Sequence, residues 1–488
     1  MKGRFFLAAI LLSSAAAYSG GPKDQKPDVA TAANWQSPVP WQAANPLDSL
    51  PKNTWWKLFG DTELDGYEER AQANNQTLNA ATARLAQARA FARVTASGLY
   101  PELDAGVSAQ RQRLSANRPT NGASIVPAAV TQNTFSIPFT ISYEVDLFGR
   151  VRRSVEAANA SLQASAADLE NIRLLVSSEL AADYFQLREL DTEIAVVERA
   201  IAFEQQGLEL VNKRHDGGAA SGLDVAQQQT VLDAAQTQLS LLHQQRAQFE
   251  HAVAVLQGLS ASEFKAPVRS LDIQPPAIPL GLPSQLLERR PDIAAAERLV
   301  AAANAQIGVA RSAFYPSISL GGGGGLLSSD ITKLLDGPSA IWSVGLSALE
   351  PLFAGGRNRA RLEAAKAGYD ENVANYRETV LVAFQQVEDA ISGLNALSAA
   401  STSQEKAVGD AGRSLTLANA RYTGGLVTYL DVITAQEQVL NNERLATQIQ
   451  GQRLVTSVLL VKALGGGWDS SSIAAVAVKP SLRQALQQ

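Results

Sequence analysis

Between Pro138 and Pro267, and again between Pro351 and Pro480, the chain carries no proline. Proline fixes φ and lacks an N–H, so gaps of this length leave the backbone free to run as very long helices. In the first gap apolar residues recur at Ile172, Val176, Leu180, Tyr184, Leu187, Ile194, Val197 and Ile201, the mixed three-and-four spacing of a coiled-coil seam. Leu362, Ala365, Tyr369, Val373, Tyr376 and Val380 do the same in the second. At 1.5 Å per residue a helix of about 60 residues reaches roughly 90 Å. Such a chain builds a rod, not a globule.

Each gap has room for two such helices, and each holds one internal glycine pair. "RHDGGAASGLDVAQQQ" begins at Arg214 and "RYTGGLVTYLDVITAQ" at Arg421; they share Arg, Gly-Gly, Leu-Asp-Val and a later Gln in register. Gly217-Gly218 and Gly424-Gly425 can supply the positive φ of a reversal, and Ser221 and Thr428 are suitable N-caps for the helix that follows. Each gap therefore predicts a helical hairpin, and the repeat marks the two tips. The repetition reaches further, because "LAQARAFARVTASGLYP" ending at Pro101 resembles "VAAANAQIGVARSAFYP" ending at Pro316, and "DLFGRVR" at Asp146 echoes "PLFAGGR" at Pro351. The chain is two copies of one unit.

Between those markers the period changes to two. "FSIPFTISYEVDL" places Phe135, Ile137, Phe139, Ile141, Tyr143 and Val145 on one face, opposite Ser136, Thr140, Ser142, Glu144 and Asp146. "IWSVGLSAL" does likewise with Trp342, Val344, Leu346 and Ala348. With partners beginning at "LDAGVSAQRQR" and "SISLGGGGGLL", about four strands are expected, each long enough to cross a bilayer at a tilt. Pro138 removes a ladder donor, so a kink, bulge or edge is expected there. No Gly-Lys-Ser/Thr follows Gly321 to Gly325, which argues against a phosphate loop. Four strands cannot close a barrel in lipid, so the chain either associates with its own copies, two at least and three allowed, or keeps its strands out of a membrane. The fold class is α+β, mainly α. Were these strands to wall a polar lumen, Glu144 and Asp146, near their exits, would favour cations modestly.

The chain has 488 residues with a net charge of -5, which offers no basic surface to nucleic acid. It has no cysteine, and its three histidines, His215, His243 and His251, lack metal-ligand spacing. No nucleophile–base set appears, so neither an enzyme nor a cofactor is expected. Met1 to Ala17, with Lys2 and Arg4 ahead of "FFLAAILL" and then Ala15-Ala16-Ala17, reads as a secretory signal. The expected divisions are that signal (1–17), an extended arm (18–60), a first-repeat helix (61–101), strand pair with outer loop (102–147) and hairpin (148–260, tip about 215–224). After a linker (261–290) come the second-repeat helix (291–316), strand pair with outer loop (317–353), hairpin (354–464, tip about 422–431) and tail (465–488).

The duplicated tips, "YEVDLFGRVRR", "RRPDIAAAERLVAAANAQIGVARSAFYPSISL" and the terminal "LGGGW" together resemble the TolC-like outer-membrane factors, in their OprM-like and NodT-like branch, over nearly the whole mature chain. The resemblance implies a homotrimer with a shared twelve-stranded barrel in outer-membrane lipid, a periplasmic barrel of helices with an equatorial belt, and a passive exit duct. It implies as partners a periplasmic adaptor and an inner-membrane transporter of the RND type. Leu430 matches the apolar constriction of the OprM-like members, with Tyr429, Asp431, Thr434 and Glu437 around the aperture; Arg214, Gly217, Gly218, Leu223, Asp224, Arg421, Gly424 and Gly425 would meet the adaptor. Opening would swing the second hairpin outward.

Two departures stand out. Thr434 and Glu437 replace an Asp and an Arg of the OprM-like pattern, so Asp431 either forms an acidic ring in their stead or serves structurally, as a cap or in a side-chain pair. Tyr18 stands where many NodT-like members carry a lipidated Cys. Alternative readings are an exit duct for protein secretion or metal efflux, or a soluble periplasmic coiled coil.

Overall fold

The computed structural model describes residue 27 and residues 54–117, 128–278, 289–468 and 476–478. The signal segment lies outside these residues, as do most of the arm and of the tail. A 3-10 turn at Trp55–Phe59 leads into helices α1 (Thr62–Asn74) and α2 (Gln76–Ser97). Strands β1 (Glu102–Ala105), β2 (Ser108–Leu114) and β3 (Val130–Glu144) follow, then α3 (Arg150–Asp216) and α4 (Gly222–Leu256). The second half runs α5 (Pro291–Ser312), β4 (Ser317–Ser328), β5 (Ala340–Leu349), α6 (Arg357–Thr423) and α7 (Tyr429–Ala463).

The duplication is one of whole elements: α2 and α5 have 22 residues each, α3 and α6 have 67, and α4 and α7 have 35. A 67-residue helix is about 100 Å long. The seam read from the sequence faces inward, with Val176, Leu180, Tyr184, Leu187, Ile194 and Val197 all buried. Helix α3 packs along α4, α5 and α7, and α6 packs along α5 and α7. The two hairpins of one chain thus meet where α3 lies against α7.

One apolar cluster holds the halves together. Trp55, Trp56 and Phe59 pack with Tyr184 and Phe185 from the first half and Tyr376, Val380, Leu454 and Val458 from the second. Each such side chain gains roughly 1.5–3 kcal/mol from burial. Beside it lies an ionic group in which Arg188 pairs with Glu63 and Asp191, both at 2.7 Å, and Asp191 also takes Arg246 at 2.6 Å. Removing one partner would strand a buried charge, which makes the set rigid. The "RRPD" and "LGGGW" motifs meet here as well: Arg290 donates to the Ala463 carbonyl at 3.0 Å, and a Cβ at Gly465 would stand 2.0 Å from the Arg289 carbonyl oxygen. Glycine is required at that approach.

The strands form one antiparallel sheet in the order β1/β2, β3, β4, β5. Strand β1 pairs Ala105 with Phe139 and β2 resumes with Ser108 opposite Ser136, so the register is unbroken and the two are one strand in two pieces. Pro138 is the reason, since it has no N–H to donate; its carbonyl still accepts from Gly106 N–H at 3.0 Å. The proline is neither at an edge nor in a bulge, because β3 is paired continuously with β4 on its other side. Gly325 makes room for it, as a Cβ there would lie 2.2 Å from the Ile137 carbonyl oxygen.

The register gathers Leu103, Ile137, Phe139, Ile141, Leu320, Leu326, Trp342, Val344 and Leu346 on one face. Trp342 is 83% exposed, and Leu103, Phe139, Val344 and Leu346 are exposed too. The opposite face carries Asp104, Ser136, Thr140, Ser142, Ser319 and Ser343. An apolar outer face over a polar inner one is the pattern of a lipid-facing barrel wall. Among the described residues no helix is long and apolar enough to cross a membrane.

Candidate functional site: the paired hairpin tips

The two reversals share one backbone solution. Helix α3 ends at Asp216, and Ala219 N–H donates back to the Arg214 carbonyl at 2.7 Å; α6 ends at Thr423, and Leu426 N–H donates to the Arg421 carbonyl at 2.9 Å. These six-to-one bonds close the last helical turn. Only the second glycine of each pair is left-handed, at φ +75° for Gly218 and +72° for Gly425. Gly217 and Gly424, expected to share that task, have φ of −81° and −78°, open to other residues.

The following helices are capped alike. Ser221 N–H donates to Asp224 Oδ2 at 2.8 Å, and Asp224 N–H returns a bond to Ser221 Oγ at 3.2 Å. In the second tip Asp431 Oδ2 accepts from Thr428 N–H at 3.1 Å and from its hydroxyl at 2.7 Å. Asp431, which is exposed, thus caps its own helix, one of the roles open to it in the sequence.

Side chains then break the symmetry. Tyr429, expected at the aperture, is instead buried in a cluster with Val211, Val432 and Ile433. Its hydroxyl donates to Gln228 Oε1 at 2.8 Å, and Gln228 Nε2 donates to the Glu204 carbonyl at 3.0 Å. The Tyr422 ring lies 5.0 Å from that of Tyr429, and the Arg214 guanidinium sits 4.6 Å above Tyr422. Tyr429 is thus a clamp between hairpins. Tyr422, Gln228 and Glu204 escaped the sequence reading, although aligning the tips sets Tyr422 opposite His215 and Tyr429 opposite Gly222.

Leu430, Thr434 and Glu437 follow at one-turn spacing on an exposed face of α7, with Leu430 52% exposed and the Thr434 hydroxyl bonded to the Leu430 carbonyl at 2.9 Å. Leu223, the match of Leu430, is 66% exposed, and Arg421, Gly217, Gly218, Gly424 and Gly425 are exposed as well. Arg214, which lies over the Tyr422 ring, and Asp224, in its capping box, are half-buried. Burial, with Glu437 nearby, pushes the Glu204 carboxyl up to about 7.

At the far end of the helices, Arg150 pairs with Glu144 at 2.5 Å and Arg152 with Asp146 at 3.2 Å. Each of these two acids, expected to favour cations, is thus paired with an arginine of the following helix, which offsets its charge. Among the described residues no cluster of three or more His, Asp or Glu could hold a metal.

Comparison with known proteins agrees with this architecture. The model of the outer membrane efflux protein family matches residues 68–259 and 282–466. The pyoverdine export outer membrane protein OpmQ of Pseudomonas putida is 35% identical over 445 residues, 91% of this chain and 93% of the relative. The outer membrane protein OprJ of Pseudomonas aeruginosa is 32% identical over 477 residues, 96% of this chain and 97% of its own. Among solved structures, the outer-membrane channel OprN superposes with a TM-score of 0.85 at 28% identity, covering 92% of this chain and 99% of that one. VceC of Vibrio cholerae gives 0.79 at 30% identity, covering 86% and 100%. With its duplicated hairpins, its apolar-faced sheet and a family match across most of its length, the chain belongs to the outer membrane efflux protein family.

Proposed function

We propose that three copies of this chain join their sheets edge to edge into one twelve-stranded barrel and form a passive exit duct for small molecules, closed at rest by the hairpin tips. The observation that carries this is the sheet itself: an apolar, exposed face combined with two edges, β1/β2 and β5, that have no strand partner within the described chain. In hydrocarbon each unpaired backbone group costs several kcal/mol, so the edges must find each other, and four strands per chain favour a closed ring of copies. The α-helical hairpins then stand as a second barrel about 100 Å long below the first. Leu430, with Thr434 and Glu437, lines its far mouth, and the tip residues Arg214, Leu223, Arg421 and the glycines receive a periplasmic adaptor that couples the duct to an RND-type transporter in the inner membrane.

Relatives named for pyoverdine export and for toluene efflux each align over more than nine-tenths of this chain. That supports a duct that takes whatever cargo its transporter delivers.

The test is single-channel conductance of the detergent-purified protein in planar bilayers, comparing wild type with Leu430→Ala. Low conductance rising about twofold or more on mutation is expected of an apolar constriction. Conductance insensitive to the change would place the gate elsewhere, and failure to insert, with no SDS-resistant trimer, would sink the duct itself.

A further inference from the structure

The two halves of the chain are not equally covered. Helices α2, α3, α5 and α6 pack in a row in that order, so α2 and α6 are its ends. Equal lengths align α2 with α5, and α3 with α6, position by position. On α3, Ala157, Ala160, Ala164 and Ala167 are buried, and Ala167 packs on Ala294 of α5. Their counterparts on α6, Ala364, Ala367, Glu371 and Ala374, are all exposed. On α5, Ala302, Ala305 and Ser312 are buried, whereas the matching Gln87, Ala90 and Ser97 of α2 are exposed. The α3–α5 joint is thus filled within one chain, and the two halves of an equivalent α6–α2 joint stand open at opposite ends of the row.

One contact in the filled joint is keyed by size. Gly308 of α5 lies against Arg153 of α3, and a Cβ at Gly308 would stand 3.0 Å from Arg153 Cγ. At the counterpart positions the sizes are exchanged: Arg93 of α2 stands where α5 has Gly308, and Ala360 of α6 stands where α3 has Arg153, both exposed. One long and one short side chain therefore meet in either joint. The wrong combinations fail, because Arg93 set against α3 would meet Arg153, like charge on like charge, and Gly308 set against α6 would leave a void beside Ala360. We infer that α6 of one copy seats on α2 of the next in the register of α3 on α5, with Arg93 packed over Ala360, and that this exchange of sizes fixes which half of a copy meets which half of its neighbour. Contacts between unlike faces of identical copies close into a ring when the rotation allows. The inference rests on the ring of copies proposed above and adds the joint that orders it.

The chain has no cysteine, so the register can be read by cross-linking. In the full-length, detergent-purified protein, Arg93→Cys with Ala360→Cys should give a disulfide-linked ladder of up to three copies on a non-reducing gel. Arg153→Cys with Gly308→Cys, the matching pair inside one chain, should link without adding mass. Gel filtration with circular dichroism tests the size rule. Ala360→Arg should lower the trimeric fraction about tenfold while the helical signal is kept, since Ala360 is exposed in the single chain, and adding Arg93→Gly should restore assembly. A trimer that forms without the cross-link, one that Ala360→Arg leaves intact, or a folded double variant that stays unassembled would each overturn the joint and spare the ring. A wild type found only as single copies would overturn both.

Discussion

The first and second hairpin tips turn at glycines whose φ values differ by only a few degrees, Gly218 at +75° and Gly425 at +72°, and both enter the next helix through a hydroxyl–aspartate cap. Their side chains behave differently. At the first tip His215 stays local, its Nδ1 lying 3.0 Å from the Ala220 carbonyl, and Gly222 has nothing to extend. At the second, Tyr422 and Tyr429 occupy the matching places and reach across, one under Arg214 and the other onto Gln228. Duplication set the backbone, and two aromatic residues decided which tip grips the other. The second hairpin is the one that has a hold to release.

Breaking that hold should have the largest effect. Tyr429→Ala removes a buried ring and leaves Gln228 Oε1 without its donor, at a local cost of about 3–5 kcal/mol. Amide exchange should accelerate in the first turns of α7 well beyond any change in α4; equal acceleration in both tips would break the comparison. Tyr429→Phe should recover most of the loss, because it restores the ring and forfeits only the hydroxyl.

Glu204 gives a pH-dependent version of the same contrast. Its folded pKa near 7 lies above the usual 4.5, so the folded state holds more protons between those values and stability falls as pH rises through that window. The loss is complete above about pH 7 and amounts to on the order of 1–3 kcal/mol. Thermal melts of the wild type should lose stability from pH 5 to pH 8 relative to Glu204→Gln. Parallel pH profiles would show that the seam does not strain this carboxyl.

The caps should behave as equals. Asp224→Ala and Asp431→Ala should each cost about 1 kcal/mol, read as fraying of α4 and α7 by amide exchange. A change in single-channel conductance confined to Asp431→Ala would give that residue a second role at the aperture. The smallest effect belongs to Arg214→Ala, which removes one partly exposed cation–π contact worth about 0.5–1 kcal/mol. It should slightly loosen the second tip and leave the bonds of the Ser221 cap intact.

Much of this was legible in the chain itself. Proline-free spans, glycine pairs and the two-residue alternation around Phe139 and Trp342 are local signals, and the hairpins, reversals and apolar sheet face sit where those signals fall. Pro138 was legible as an interruption but not in kind: its effect on pairing depends on which partner groups lie opposite, and Gly106 and Gly325 absorb it without a register shift. The tip residues were harder to read. Tyr429 and Leu430 are adjacent and both apolar enough for a constriction, yet a helix turns successive side chains about 100° apart, so one faces the neighbouring hairpin and the other faces away.

The sequence by itself determined two long helical hairpins, their reversing glycines, their caps and a sheet with one apolar face, because backbone sterics and periodic burial act over a few residues at a time. Only the tertiary structure decided that Tyr429 clamps rather than lines, that Glu144 and Asp146 are paired with arginines, and that Glu204 lies near Glu437. Tyr429 meets a glutamine 201 positions away, and Glu204 meets an acid of the other hairpin. Contacts so distant along the chain leave no period or motif behind; they exist only once the long helices have packed and fixed which faces touch.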